Sequence, residues 1–208
     1  MVGIIDYRMG NLRSVQKAIE RVGGSATILS DASQARTVNR LLLPGVGAFA
    51  DGMRYLRDGG WPDAIRDFIA TGRPMLGICL GMQLVFDHSE EDAPNQGLGL
   101  LPGEVVRFQE DQGPDRPRLK VPHMGWNHLD WTADDPLLAG LTPGPATSVY
   151  FVHGYYVRPR DASVTLATAD YGGPFAAIVR RDNLWATQFH PEKSQQVGLR
   201  MLANFVSF

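Results

Sequence analysis

The sequence has one cysteine among its 208 residues. A single thiol excludes an internal disulfide and any metal site built from several cysteines. Cys79 alone says little about function, because free cysteines are commonly small buried hydrophobic residues. Its neighbours in the sequence must therefore show whether it carries chemistry.

Long hydrophobic runs and an excess of basic residues are also missing. The longest apolar runs, such as Met75 to Leu80, are too short to span a bilayer. Twenty Lys and Arg residues oppose 22 Asp and Glu residues and form no basic stripe, so nothing points to nucleic acid or an anionic membrane. The N-terminal MVGIIDY lacks the features of a signal peptide, and we expect a cytoplasmic protein.

The hydrophobic pattern predicts one α/β domain over residues 1–208. In the first half, short apolar strands alternate with amphipathic helices, which predicts a mostly parallel sheet covered on both faces in three layers. The predicted strands are 2–6, 26–29, 41–43 and 75–78, and the predicted helices are 11–22, 53–57, 64–70 and one that starts in 81–86.

The second half has a different pattern, with short strands separated by short turns. These strands predict antiparallel hairpins added to the sheet. They cover 105–108, 150–152, 155–157, 164–169, 176–179 and 184–188, before a final helix at about 195–208. The polar segment 109–118 and the segment 122–126 (PHMGW) are predicted loops, and His88 is expected to end a helix.

Three glycine-rich turns, 7–11, 44–47 and 77–81, follow predicted strands. In open α/β sheets, ligands bind at the carboxyl ends of the parallel strands. The turns therefore predict a common site at that edge.

The third turn, GICLG, has the form G-x-C-x-G between a strand and a helix. It is the thiol counterpart of the G-x-S-x-G nucleophile elbow, in which flanking glycines permit a sharp, strained turn. The N-terminus of the following helix points at the sulfur of Cys79 and favours its thiolate form. A buried cysteine in a glycine-flanked turn is the structural alternative.

A thiolate nucleophile needs a base and a group that orients the base. His190 follows a predicted strand, Pro191 imposes a turn, and Glu192 can reach back to the imidazole. A lone His-Pro-Glu is typically a surface turn, so this assignment depends on Cys79. His123 and His153 have no carboxylate at such a spacing, and His88 and His128, which are followed two residues later by Glu90 and Asp130, have no intervening proline to impose the turn.

These motifs together resemble the class I, or triad-type, glutamine amidotransferases. The matching blocks are LPGVGAF (43–49), GICLGMQ (77–83) and QFHPEKS (188–194). Three further blocks resemble the glutaminase-subunit family of imidazole glycerol phosphate synthase, namely IIDYRMGNLRSV (4–15), KVPHMGWN (120–127) and YFVHGYY (150–156). The resemblance spans nearly the whole chain and implies a flavodoxin-like class I glutaminase fold.

The resemblance also implies residue roles. Cys79 is the nucleophile, His190 the general acid and base, and Glu192 the group that orients His190. The glutamine substrate would be held by residues of three matching blocks: Gly45, Val46 and Gly47; Leu80 and Gln83; and Gly154 and Tyr155, whose backbone matches positions that grip the substrate carboxylate. Among these, the backbone N–H groups of Val46 and Leu80 match oxyanion donors. No metal or cofactor is implied.

The family pairs its glutaminase with a cyclase barrel in a heterodimer. The cyclase uses ammonia to make imidazole glycerol phosphate and aminoimidazole carboxamide ribotide in histidine biosynthesis. By resemblance, Asn11, Trp126 and Lys193 face this partner. His123 and Met124 share the PHMGW segment with Trp126, and methionine and tryptophan are enriched at interface cores. A loop that packs in the core is the alternative for this segment.

The chain departs from the family at two positions. Arg8 stands where the family usually has glycine, so arginine is either strained at a positive φ or simply exposed. Gly154 stands where serine or threonine is common, and glycine suffices if only its backbone is used.

Three other functions remain open on the sequence. A glutaminase of another synthase, such as anthranilate or pyridoxal phosphate synthase, is disfavoured by KVPHMGWN. A thiol hydrolase or peptidase would act on substrates other than glutamine. A non-enzymatic subunit is disfavoured because Cys79, His190 and Glu192 are all present.

Overall fold

A computed structural model describes residues 1–92, 95–114 and 118–208. The helices are α1 (Leu12–Arg21), α2 (Phe49–Asp58), α3 (Trp61–Ala70), α4 (Leu80–Leu84) and α5 (Gln195–Ser207). The strands are β1 (Val2–Ile5), β2 (Ala26–Leu29), β3 (Arg40–Gly45), β4 (Met75–Cys79), β5 (Phe86–Ser89), β6 (Asn95–Gln96), β7 (Leu101–Arg107), β8 (His123–Leu129), β9 (Gly144–His153), β10 (Tyr155–Pro159), β11 (Thr165–Asp170), β12 (Pro174–Arg181) and β13 (Leu184–Thr187).

The central sheet has the strand order β11-β12-β13-β4-β3-β1-β2. Neighbouring strands from β13 to β2 are parallel, whereas β11 and β12 are paired antiparallel at one edge. This arrangement confirms the predicted mixed fold with a mostly parallel sheet. The register aligns Gly45 at the end of β3 with Cys79 at the end of β4.

Both faces of this sheet are buried. Side chains alternate between the two faces along each strand, so neighbouring residues join different hydrophobic clusters. Leu41 and Leu43 of β3 pack with α2 and α3 residues such as Phe49 and Trp61. Leu42 faces the other side and belongs to a cluster that includes residues of α1 and α5. The three layers expected from the sequence are therefore present.

Three strands, β5, β6 and β8, were not predicted from the sequence. The helix predicted to start in 81–86 ends at Leu84, and Phe86 begins β5, so His88 lies in a strand. Its Nε2 lies 3.6 Å from a carboxylate oxygen of Glu104 on the parallel strand β7. The expected end of a helix at His88 was therefore wrong.

The PHMGW segment, which was predicted to be a loop, instead enters a strand. His123 begins β8, which pairs with β9 in a two-stranded sheet. A second small sheet contains β5, β6, β7 and β10. Of the six strands predicted in the second half, β7, β9 and β10 thus lie in these small sheets, whereas β11, β12 and β13 extend the central sheet.

The predicted loop at 109–118 has no helix or strand where it is described, and residues 115–117 lie outside the described residues. Within the described ranges, no helix is long and apolar enough to cross a membrane. The assignment of one domain to residues 1–208 stays a prediction.

Candidate active site

Cys79 lies at the junction of β4 and α4 with φ 55° and ψ −109°. A non-glycine residue with positive φ is uncommon and marks a strained backbone. The glycines on either side are explained by close contacts. A Cβ atom on Gly81 would lie 1.9 Å from the Leu43 carbonyl oxygen, and one on Gly77 would lie 2.9 Å from the Gly81 oxygen. The turn therefore has the elbow geometry expected from GICLG.

His190 follows β13 and is 2% exposed. Its Nδ1 lies 2.9 Å from Oε1 of Glu192, which the short 3-10 helix Pro191–Lys193 carries. Glu192 accepts this hydrogen bond, so Nδ1 carries the hydrogen and Nε2 is the free ring nitrogen. Nε2 has no hydrogen-bond partner among the described residues, which leaves it available to a substrate or to the thiol.

The charge environment of His190 favours imidazolium. Burial lowers its pKa, but the nearby Cys79 sulfur, together with the hydrogen bond and the charge of Glu192, outweighs burial and raises the pKa to about 9. A proton is therefore held on the imidazole at neutral pH. This state suits a general acid that protonates a leaving amine.

A cavity of about 390 Å³ gathers most of the predicted site residues. Its walls include Val46, Gly47, Cys79, Leu80, Gln83, Gly154, Tyr155 and His190. Glu192 lies behind His190, and Gly45 is packed under the side chain of Tyr7, whose hydroxyl would lie 2.2 Å from a Cβ at that position. Residues from the ends of β3, β4, β9 and β13 thus meet at one place. Of the three glycine-rich turns, 44–47 and 77–81 contribute to the cavity wall, whereas 7–11 does not line it.

Several cavity residues belong to one polar network. Gln83 Nε2 donates to the Tyr155 carbonyl at 3.0 Å and to Gln188 Oε1 at 3.3 Å. Gln188 Nε2 lies 3.9 Å from the sulfur of Cys79. Two residues of the site, Gln188 and His153, were not predicted from the sequence, and His153 lines the cavity. Gln188 could have been predicted from its position two residues before His190. No local pattern indicated that His153 belongs to the site.

The predicted partner residues divide into exposed and buried ones. Met124 is 64% exposed and Trp126 is 48% exposed. Asn11, which caps α1, and Lys193 are also exposed. His123 is only 4% exposed, so its side chain offers no surface to a partner, contrary to the expectation. It points inward because alternate β8 residues face opposite sides of the strand.

Arg8 has both features that were treated as alternatives. Its φ is 68°, and the residue is exposed. Its N–H donates to Oδ1 of Asp6 at 3.0 Å, and its guanidinium lies 5.6 Å from the ring centroid of Tyr55. The positive φ therefore favours glycine at position 8. Arginine fits there because its side chain lies outside the core.

Comparison with known proteins decides the family. The model of the class-I glutamine amidotransferases matches residues 3–207. The chain belongs to this family. Chains described as imidazole glycerol phosphate synthase subunit HisH are similar over nearly their full length. The relative from Syntrophotalea carbinolica is 57% identical, with 99% of this chain and 98% of the relative covered. The relative from Rhodopirellula baltica is 53% identical, with 100% and 97% covered.

Solved structures are similar in fold. A crystal structure of a glutamine amidotransferase has a TM-score of 0.73 at 21% identity and covers 100% of this chain and 99% of its own. The structure of PurLQS from Thermotoga maritima has a TM-score of 0.75 at 17% identity, with 99% and 97% covered. These matches confirm the class I glutaminase fold, and the relatives above confirm the resemblance to the synthase subunit.

Proposed function

We propose that this class-I glutamine amidotransferase is the glutaminase subunit of an imidazole glycerol phosphate synthase. It would hydrolyse glutamine to glutamate and ammonia and pass the ammonia to a cyclase barrel in histidine biosynthesis. The observation that carries the proposal is the meeting of strained Cys79 with the buried His190–Glu192 pair in one cavity. The full-length similarity to chains named as that subunit supports the choice of synthase. A cytoplasmic location stays a prediction.

The proposed reaction has two halves. The Cys79 thiolate attacks the side-chain amide carbon of glutamine, and the oxyanion accepts hydrogen bonds from the N–H groups of Val46 and Leu80. Each such donor contributes about 3–4 kcal/mol in the transition state. His190 then gives its proton to the departing nitrogen, which leaves as ammonia. Water attacks the γ-glutamyl thioester with His190 as base, and glutamate is released.

The segment around Val46 suits a switchable oxyanion donor. Gly47 has φ 102°, and glycines on both sides of Val46 lower the cost of rotating a peptide there. We infer that one peptide of this segment rotates to complete the oxyanion hole when the cyclase is loaded. If Gly47→Ala leaves partner-stimulated turnover unchanged, this part of the proposal fails.

The proposed docking face includes Met124, whose partner in the β8–β9 register is Val152 of the cavity wall. Its residues, Asn11, Met124, Trp126 and Lys193, are exposed, and Val46, which lines the cavity, is itself 41% exposed. Met124 and Trp126 are two residues apart in β8, so their side chains lie on the same, outer side of the strand. Apolar groups at this position suit the core of an interface.

Glutamine hydrolysis should be measured for the chain alone, with a bacterial cyclase subunit, and with the cyclase and its phosphoribosyl ligand. We expect the highest rate in the third condition and no glutamate from Cys79→Ala in any of them. Hydrolysis of esters or peptides but not of glutamine would favour a thiol hydrolase. Co-purification with an anthranilate or pyridoxal phosphate synthase subunit instead of the cyclase would favour another synthase.

A further inference from the structure

Two buried histidines outside the triad are in direct contact beneath the turn that joins β9 and β10. His123 is 4% exposed and His153 is 5% exposed. Nδ1 of His123 lies 3.2 Å from Nε2 of His153. Only one of these two nitrogens can donate in a hydrogen bond, so the groups at the two outer ends decide the direction.

The first end is a backbone carbonyl. Nδ1 of His153 lies 2.9 Å from the carbonyl oxygen of Tyr155, which can only accept. Nδ1 of His153 therefore carries a hydrogen. In the neutral ring, Nε2 is then an acceptor, and His123 must donate to it from Nδ1.

The second end is the amide of Asn127. Its Nδ2 lies 2.7 Å from the carbonyl oxygen of Asp170, and its Oδ1 accepts from the N–H of His128 at 2.8 Å. These two backbone contacts fix the orientation of the amide. Nδ2 is thus the atom 3.4 Å from Nε2 of His123, and that ring nitrogen accepts. Every contact is satisfied only when both histidines are neutral with the hydrogen on Nδ1.

The surroundings keep the two rings neutral. His123 stacks between Tyr171 and Phe151, with ring centroids 4.0 Å and 4.9 Å away. Burial lowers the pKa of His123 to about 4. Burial also lowers the pKa of His153 to about 3; the hydrogen bond to Tyr155 opposes this shift, and the charge of His190 adds to it.

The directed chain ends on the turn that lines the candidate site. The carbonyl of Tyr155 accepts from both His153 and Gln83, and the carbonyl of Gly154 accepts from the N–H of Phe108 at 3.0 Å. Each carbonyl of the turn thus has a fixed partner. The Gly154 carbonyl and the Tyr155 N–H share one planar peptide, so the bond from Phe108 sets the direction of the Tyr155 N–H. The bonds from His153 and Gln83 hold the next peptide and so limit the movement of the turn.

We propose that His153, held by His123 and Asn127, is a positioning residue that fixes the Gly154–Tyr155 turn for binding the α-carboxylate of glutamine. The inference rests on the proposed function, since it assigns a role in binding that substrate. The ring nitrogens of His153 are bonded to His123 and to the Tyr155 carbonyl and not to Cys79 or His190. Its loss should weaken the binding of glutamine more than it slows the chemical steps.

The kinetic test compares two variants of His153 in the complex with the cyclase. Phenylalanine keeps the ring but removes both nitrogens, whereas asparagine retains a donor near the position of Nδ1. We expect His153→Phe to raise KM for glutamine about tenfold or more, with kcat within about threefold of the original. His153→Asn should recover KM to within about threefold. Equal losses of kcat by both variants with unchanged KM would overturn the proposal.

A chemical control separates the turn from the nucleophile. Iodoacetamide alkylates Cys79 without using the carboxylate-binding turn, whereas a glutamine-like chloroketone needs that turn to bind. For His153→Phe we expect an unchanged alkylation rate and about tenfold weaker saturation by the chloroketone. Equal slowing with both reagents would indicate general damage and contradict a positioning role.

The hydrogen-bond chain can be tested without any activity. Ring ¹⁵N chemical shifts of the free chain should show His123 and His153 as neutral Nδ1–H tautomers, and His123→Phe should change the signal of His153. Nε2–H tautomers would overturn the proposed chain. If the tautomers are found but the complex does not hydrolyse glutamine, the proposed function fails and the chain of hydrogen bonds stands.

Discussion

The two walls of the candidate site are built in different ways. On the elbow wall, residues 77–81, close backbone contacts leave no space for a side chain at Gly77 or Gly81. On the turn wall, residues 153–155, hydrogen bonds from the side chains of His153 and Gln83 fix the carbonyl of Tyr155. Steric exclusion fixes the nucleophile, whereas replaceable side chains fix the place where substrate would bind. Changes to the elbow should therefore damage folding, and changes to the turn should damage affinity.

The largest effect is expected from Gly81→Ala. The new Cβ would lie 1.9 Å from the Leu43 carbonyl oxygen, and backbone cannot move aside cheaply. We expect a loss of more than about 4 kcal/mol in the free energy of unfolding, or failure to fold. Gly72→Ala is the matched control, because Gly72 has φ 78° but no atom near its missing Cβ, and should cost about 1–2 kcal/mol. Equal losses in the free energy of unfolding for the two variants, measured by urea denaturation, would show that steric exclusion does not fix the elbow.

The pH dependence of the free energy of unfolding tests whether His190, the proposed general base, has a raised pKa. The pKa of His190 is about 9, above its ordinary 6.5, so the folded chain binds this proton more tightly than the unfolded chain. This stabilisation is fully present below pH 6.5 and is lost as pH rises through 9. Urea denaturation at pH 6.5 and pH 9.5 should show an extra loss of up to about 3 kcal/mol relative to His190→Asn. The same pH dependence in both proteins would contradict the assignment.

Replacing Gln83 tests the turn wall from the opposite side. Gln83→Leu removes one of the two donors to the Tyr155 carbonyl and leaves Gln188 Oε1 without that partner. We expect KM for glutamine to rise about 10- to 100-fold, since a buried polar group loses its partner. Thermal unfolding should change little compared with Gly81→Ala. An unchanged KM in steady-state kinetics would show that the turn does not depend on this bond.

Local patterns explain why the elbow was predictable from the sequence. Gly77, Cys79 and Gly81 lie within five residues, and their spacing reflects contacts made within the same turn and with the adjacent strand. The alternation of strands and helices in the first half likewise follows from burial of both faces of one sheet. The pairing of His190 with Glu192 was predictable because the two residues are neighbours in the chain.

The remaining features depend on partners that are distant in sequence. The helix after Cys79 ends at Leu84, whose carbonyl accepts from the N–H of Leu98, and no local signal marks that end. In β8, Met124 and Trp126 are exposed while His123 is buried, which reverses the usual alternation of apolar and polar residues. The direction of the histidine chain depends on Asp170 and Tyr155 together, and a pattern within one segment cannot show it.

The smallest effect on stability is expected from replacing Arg8, which lies in a turn that belongs to neither wall. Arg8→Gly relieves a positive φ of 68° and increases the freedom of the unfolded chain, and these two contributions partly cancel. We expect the free energy of unfolding to rise by about 0.5 kcal/mol, with KM for glutamine unchanged. A change in KM would show that this turn contributes to the site and would extend the comparison to a third segment.

Trapping the covalent intermediate tests the central claim most directly. The complex with the cyclase and its ligand should be quenched in acid during turnover of glutamine, and the intact mass of this chain and its peptides measured. We expect a γ-glutamyl adduct on Cys79 in the original chain and none in Cys79→Ala. An adduct on another residue, or glutamate release by Cys79→Ala at the original rate, would contradict it.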